Sequence, residues 1–290
     1  MKSWEQMHLG EEMLGGLSAG VVGTVIGFPL DLVKTRMQTS ATRSGQSIFS
    51  IGRGIVRAEG IGALYKGVAP PLISLSILNT MTFAQYTFFR EAYNANPGVD
   101  WRNFLAGASC APASGIVSTV ENLVKTQMQL DNVTRRQFRG SWHCVRTLVG
   151  NHGPVILYTG HTVNTIREAV FVSHYFFIYE AVREALISQQ VLGIQSAVPV
   201  AGGLAGASAW FISFPLDCVR AGVQGQSLPP TRGSFRVFRD LIAERGVRGL
   251  YSGASASIAR AFLVSGSRFS AYEGALWLIR GGRNYERHHD

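Results

Sequence analysis

Asp31 and Lys34 stand three residues apart in PLDLVKTRMQ, and the spacing returns as Asn122 and Lys125 in VENLVKTQMQ and as Asp217 and Arg220 in PLDCVRAGVQ. Side chains three apart share a helix face, so three such helix ends gathered around an axis can trade charge in a ring of ion pairs. Gln38, Gln129 and Gln224 follow each base by four residues, one turn further on. Elsewhere Arg167, Glu168, Arg260 and Arg268 interrupt otherwise apolar stretches. A charge at bilayer centre costs about 2.5–3.5 kcal/mol on insertion scales, so these residues are expected to face a polar interior and to serve a purpose. Two guanidiniums clamp a carboxylate bidentately, and a neighbouring Glu receives a cationic head group. The chemistry on offer is recognition and reversible pairing of charge.

Covalent chemistry finds little support. GLSAG, from Gly16 to Gly20, fits the G-x-S-x-G nucleophile elbow in letters, but it lies in an apolar helical stretch, and its third-repeat counterpart GGLAG has Leu204 in place of Ser18. No G-x-G-x-x-G, Walker loop or metal-ligand set is present. Cys110, Cys144 and Cys218 have unrelated surroundings and no CxxC spacing, and read as small buried or free thiols. His288-His289 reads as a solvated tail. The opening MKSWEQMHLGEEM has neither an Arg-rich, acid-poor transit pattern nor a cleavable signal, so any targeting is expected to be internal.

The elements that must position the charges repeat three times. The Asp-x-x-Lys block recurs after 91 and 95 residues; the tyrosines of GIGALYKG (Tyr65), GPVILYTG (Tyr158) and GVRGLYSG (Tyr251) recur after 93 and 93. A third block opens 21 residues after each of these tyrosines, at Tyr86, Tyr179 and Tyr272. Fixed-order repetition of this kind marks a repeat architecture, with units at 1–98, 99–192 and 193–290. Each unit holds an apolar, Gly-rich stretch (9–38, 102–129, 196–224), a short amphipathic helix (47–58, 140–150, 234–244) and a second apolar stretch (69–92, 161–186, 254–280). Six stretches of 24 or more residues exceed the roughly 20 that a helix needs to cross a bilayer. The predicted fold class is therefore an all-α membrane protein, with six transmembrane helices in three pseudosymmetric repeats and short helices between them. Gly16/Gly20, Gly107/Ala111 and Gly202/Gly206 supply small-xxx-small contacts for close helix approach.

Composition agrees. Of the 290 residues 46% are apolar and only 16% charged, against roughly 25% charged in ordinary soluble proteins. The net charge of +9 is spread as Arg53, Arg57, Arg146, Arg236 and Arg239 over the short helices, which suits anionic lipid and a charge bias between membrane sides better than nucleic acid.

On these blocks the chain resembles the mitochondrial carrier family. The signature Pro-x-acid-x-x-base, then acid-Gly, then aromatic-base-Gly is complete in the first repeat as Pro29, Asp31, Lys34, Glu59-Gly60 and Tyr65-Lys66-Gly67. The resemblance implies a six-helix bundle in the mitochondrial inner membrane that exchanges solutes by alternating access, without a cofactor. It implies a matrix gate in which Asp31 pairs with Lys125 and Asp217 with Lys34, braced by Gln38, Gln129 and Gln224; Asn122, standing in the acid position, is left a weaker hydrogen bond to Arg220. Val120 replaces a proline, so the third long helix is expected to be less kinked. On the cytoplasmic side the resemblance pairs Arg90 with Glu180 and Arg183 with Glu273, leaves the remaining couple as Thr87 with Leu276, and adds braces from Tyr86, Tyr179 and Tyr272. Structural cardiolipin is expected at the helix N-termini near Gly67, Gly160 and Gly253, where backbone N–H groups are free. The working unit is expected to be a monomer.

Between the gates, the resemblance makes Ser74, Arg167 and Arg260 the contact positions, with Glu168 beside Arg167 and Asn79 as a neutral hydrogen-bonding neighbour. A site of both signs suits basic or zwitterionic amino acids (ornithine, arginine, lysine) or carnitine and acylcarnitine. The acid expected on the second helix of an ornithine-type carrier is missing from SLSILN. A non-transporting scaffold, a proton leak and a carrier of another solute class are the competing readings.

Overall fold

The computed structural model describes residues 2–39, 47–134, 137–189, 194–260, 263–264, 267 and 275. Each repeat opens with a long helix: α1 (Lys2–Thr39), and later its two counterparts. In the first repeat, α2 (Ile48–Glu59) and α3 (Ala69–Ala92) follow; the second gives α4 (Trp101–Thr134), α5 (Ser141–His152) and α6 (His161–Ser188). The third supplies α7 (Ile194–Gln224) and α8 (Ser234–Gly249), and a further helix runs from residue 254. Among the described residues there is no strand. The short 3-10 turns Ile61–Tyr65 and Pro154–Tyr158, inside the repeated tyrosine blocks, are details that the sequence patterning passed over.

At 1.5 Å per residue the 24 residues of α3 reach about 36 Å, beyond the roughly 30 Å of a hydrocarbon core. Among the described residues, no helix is long and apolar enough to cross a membrane by hydropathy. Glycines, hydroxyls and charges interspersed in the apolar stretches dilute their hydropathy.

Neighbouring helices run in chain order, α3 along α4, α4 along α6 and α6 along α7, while α1, α4 and α7 meet one another at the end that carries the Asp-x-x-Lys blocks. There, three small cores repeat. Leu32 and Val33 pack on Ile55 of α2; Val124 and Met128 on Cys144 and Leu148 of α5; Val219 and Val223 on Val237 and Leu241 of α8. The apolar faces of the three short helices are thus spent on holding the ends of α1, α4 and α7, and Arg53, Arg57, Arg146, Arg236 and Arg239 are left exposed. At the other end Tyr86, Ala106, Cys110, Val172 and Phe176 form a fourth core.

Gly107 allows α4 to approach α6 closely: a β-carbon there would stand 2.7 Å from the Ser173 Cα. Gly202 and Gly206 meet only the Tyr175 ring at ordinary contact distance. The side chain at position 16 lies outside the described residues. Pro29 falls inside α1, and α4, lacking a proline at Val120, carries Pro112 two turns earlier.

Candidate solute site and gates

The ends of α1, α4 and α7 bring the repeated acids and bases together. Lys125 Nζ lies 2.7 Å from Asp31 Oδ2, and Lys34 Nζ lies 2.6 Å from Asp217 Oδ2. Both pairs are the ones expected. The third is not made. Asn122 donates its amide to Asn164 Oδ1 of α6 at 3.3 Å, and Asn164 in turn donates to Ser118 and Thr119. Arg220 turns back along its own helix to Asp217 Oδ1 at 2.7 Å. The expected Asn122–Arg220 bond is corrected on simple grounds: a guanidinium gains more from a carboxylate one helical turn away than from a neutral amide.

Two of the three glutamines act as braces. Gln38 donates to Asp217 Oδ2 at 3.0 Å; Gln224 accepts from Arg220 and donates to the Thr119 and Thr159 carbonyls. Gln129 is buried, but its side-chain amide has no hydrogen-bond partner among the described residues, so its expected brace is not formed.

Arg260 reaches the same cluster. Its Nε lies 2.5 Å from Asp31 Oδ1, a close ionic contact without hydrogen-bond alignment. Gly27 of α1 makes room for it, since a β-carbon there would fall 3.2 Å from Arg260 Nε and 2.5 Å from a Val264 methyl. Arg167 pairs with Glu168 and lies over the Phe171 ring, 5.8 Å from its centroid. Ser74 is buried and donates to the Pro70 carbonyl. The side chain of Asn79 lies outside the described residues.

A cavity of about 160 Å³ sits within this cluster, and Arg167, Arg260, Asn122, Asp217 and Trp210 are among its walls. Trp210, which the sequence reading did not single out, holds the Lys34 ammonium 4.2 Å from its ring centroid. A tryptophan closing a small-residue run (Ala205 to Ala209) was the available signal.

At the opposite end Arg90 of α3 meets Glu180 of α6 at 3.4 Å, as expected. Arg183 bonds Glu180 at 3.1 Å; its expected partner Glu273 lies outside the described residues, as do Tyr272, Leu276 and Arg268. Tyr86 is no brace for this pair: its hydroxyl donates to Asn103 and its ring stacks on Phe176 at 3.5 Å. Tyr179 makes ring contacts with Tyr175 and with the Arg183 guanidinium. Among the described residues, the exposed Thr87 bonds the Phe83 carbonyl of its own helix.

Gly67, Gly160 and Gly253 all have positive φ (90°, 74° and 87°), and each sits against the long helix of the next repeat. A β-carbon would meet Met128 at 2.9 Å from Gly67, Gln224 at 3.3 Å from Gly160, and Lys34 at 3.2 Å from Gly253. Backbone conformation and close packing already require glycine at these three places.

The mitochondrial carrier protein family matches residues 5–97, 99–190 and 196–281, one repeat each. The chain belongs to the mitochondrial carrier family. It is a transporter of small solutes in the mitochondrial inner membrane, not an enzyme. It is 34% identical over 278 residues, 92% of this chain and 90% of the relative, to the mitochondrial arginine transporter BAC2 of Arabidopsis thaliana. To the mitochondrial basic amino acids transporter of Homo sapiens it is 28% identical over 93% of this chain and 91% of that one. Solute carrier family 25 member 47-B of Danio rerio is 27% identical over 94% of this chain and its own full length. In this carrier the Lys34–Asp217 and Lys125–Asp31 pairs tie the ends of α1, α4 and α7 together by two inter-helix ion pairs.

Proposed function

We propose that this carrier exchanges basic amino acids of the arginine, lysine and ornithine type across the inner membrane. One observation carries the reading: Arg260 and Arg167 both line a cavity of about 160 Å³ beside the matrix gate, with Glu168 paired to Arg167 and the carboxylates Asp31 and Asp217 also in its wall, giving guanidiniums for a carboxylate and acids for an ammonium. The names of the relatives from Arabidopsis thaliana and Homo sapiens point the same way. Carnitine carries one ammonium and one carboxylate, without a second cation, and is the competing substrate.

The geometry supplies a coupling. Asp31 is shared between Lys125 of the gate and Arg260 of the site. A substrate carboxylate that engages Arg260 competes with Asp31 for it, changes the balance of charge around the Asp31–Lys125 pair, and so links occupancy to the gate. A ligand shifts such an equilibrium only by its differential affinity for the two states, and this shared acid is where the difference arises.

The ring closes within one chain through the three glycine contacts, which supports a monomer as the working unit. Cardiolipin phosphates at the N-terminal ends of α6 and the helix from residue 254 belong to this proposal on the strength of first-turn backbone N–H groups such as those of Thr162 and Ser255, whereas Pro70 and Pro71 leave the start of α3 with few donors to offer. Exchange of labelled arginine into liposomes loaded with arginine tests the function. Arg260→Ala is expected to lower uptake at least 100-fold while the purified protein still unfolds cooperatively; wild-type uptake by that variant removes Arg260 from the site.

A further inference from the structure

Phe49, Trp142 and Phe235 recur at intervals of 93 residues, and so do Arg53, Arg146 and Arg239, each four positions later. An aromatic and an arginine four apart share one face of a helix, and in α2 the Arg53 guanidinium lies 5.9 Å from the Phe49 ring centroid. Each aromatic opens its short helix and is left bare, at 76%, 78% and 78% exposure. One bare ring is ordinary; the same ring bare in all three repeats marks a surface with a use. An exposed aliphatic, Ile61, Val155 or Val247, stands near the far end of each helix. Apolar contacts thus mark both ends of α2, α5 and α8, with an exposed arginine between them. The acids nearest to these arginines in sequence are already held by other bases, Glu59 by Arg36, Asp131 by Lys66 and Asp240 by Arg232. The opposite face of each short helix is spent on the end of α1, α4 or α7.

We infer that the aromatic–arginine pairs of α2, α5 and α8 anchor this end of the bundle in the anionic leaflet around it, with the rings among the upper acyl chains and the guanidiniums on lipid phosphates. Aromatic rings settle at the boundary between headgroups and chains, and a helix that carries both rings and basic residues on its open face lies in that plane. A guanidinium meets a phosphate through two parallel hydrogen bonds. The partner is the bilayer surface, and the anchoring residues belong to different elements from the helix N-termini at Gly160 and Gly253. Because each short helix grips the end of a different long helix, the anchors hold all three ends level with the membrane while those ends part and rejoin. The inference does not depend on which solute is carried.

The test uses the full-length protein in phosphatidylcholine vesicles that contain about 20% phosphatidylglycerol, which supplies the anionic surface. The fluorescence lost in Trp142→Phe isolates the signal of Trp142. That signal is expected to be quenched several-fold more by lipids brominated just below the headgroup than by lipids brominated near the chain ends, and only weakly by acrylamide present on both sides. A Trp142 that acrylamide quenches like free tryptophan, and that brominated lipid leaves alone, overturns the anchor and turns this face to water or to a soluble partner. Phe49→Trp and Phe235→Trp, each on the Trp142→Phe background, repeat the reading for α2 and α8. Replacing Arg53, Arg146 and Arg239 together by glutamine is expected to remove most of the rise in unfolding temperature that phosphatidylglycerol gives over phosphatidylcholine alone, each charge being worth about fivefold in affinity for an anionic surface. A rise that persists undiminished in this variant assigns the anionic lipid to other sites, such as the helix N-termini, and overturns the role of the arginines.

Discussion

Asp217 accepts from Lys34, Gln38 and Arg220, so it neutralises two bases, one of which would face an acid on α4 if position 122 were acidic. Asn122→Asp is expected to give Arg220 an inter-helix partner and return Asp217 to Lys34 alone. An added ion pair of this kind is worth about 1 kcal/mol, or about 2–4 °C in unfolding temperature for a protein of this size, and it should slow arginine exchange several-fold by strengthening the matrix gate. Uptake rates and unfolding of the unliganded protein check this together; faster exchange with no gain in stability would show that Arg220 stays on Asp217. Asp217→Asn works in the other direction. It leaves Lys34 and Arg220 buried without their acid, a loss of about 3–5 kcal/mol for a broken buried pair, and should yield a protein that unfolds earlier and no longer holds a solute gradient.

Among the elements, the short helices show most clearly how sequence pattern becomes packing. Their expected spans, 47–58, 140–150 and 234–244, fall within a few residues of Ile48–Glu59, Ser141–His152 and Ser234–Gly249, because a strongly one-sided helix announces both its ends and its buried face. The long helices were legible for a different reason, the length of their apolar stretches, together with the threefold recurrence of the blocks. Individual partners were harder to read. That Arg220 would turn to its own helix, that Tyr86 would bond Asn103, or that Gln129 would stay unbridged depends on distances of less than one helical turn, which spacing along a chain does not encode. The pairs that were foreseen, Asp31 with Lys125, Lys34 with Asp217 and Arg90 with Glu180, are those where two full opposite charges leave little choice.

Cys144 gives the packing of α5 a direct reporter. It is buried against Val124, Met128 and Phe138, and burial, helped by the nearby Asp131 carboxylate, pushes its thiol up to about 12. At pH 8 only about one such thiol in 10,000 is ionised, and the thiolate is the reactive form. Maleimide is therefore expected to leave the Cys144 peptide unmodified in folded protein, as read by mass mapping, and to label it once α5 detaches. Rapid labelling in the native state would mean that this helix opens readily.

For the whole molecule, the three glycine contacts run in one sense: the first repeat rests on the second through Gly67, the second on the third through Gly160, and the third on the first through Gly253. The last of these joints links residues far apart in the chain with the same geometry as the other two, which link neighbours. To the folded protein, then, the place where the polypeptide is cut is one joint among three equivalents, like the clasp of a bracelet whose links are alike. A permuted chain that begins at residue 99, ends at residue 98 and joins 290 to 1 through a flexible linker is expected to assemble the same ring and to exchange arginine at a rate within a few-fold of the original. Failure of that chain to fold would show that the order in which the repeats are made matters as much as the circle they close.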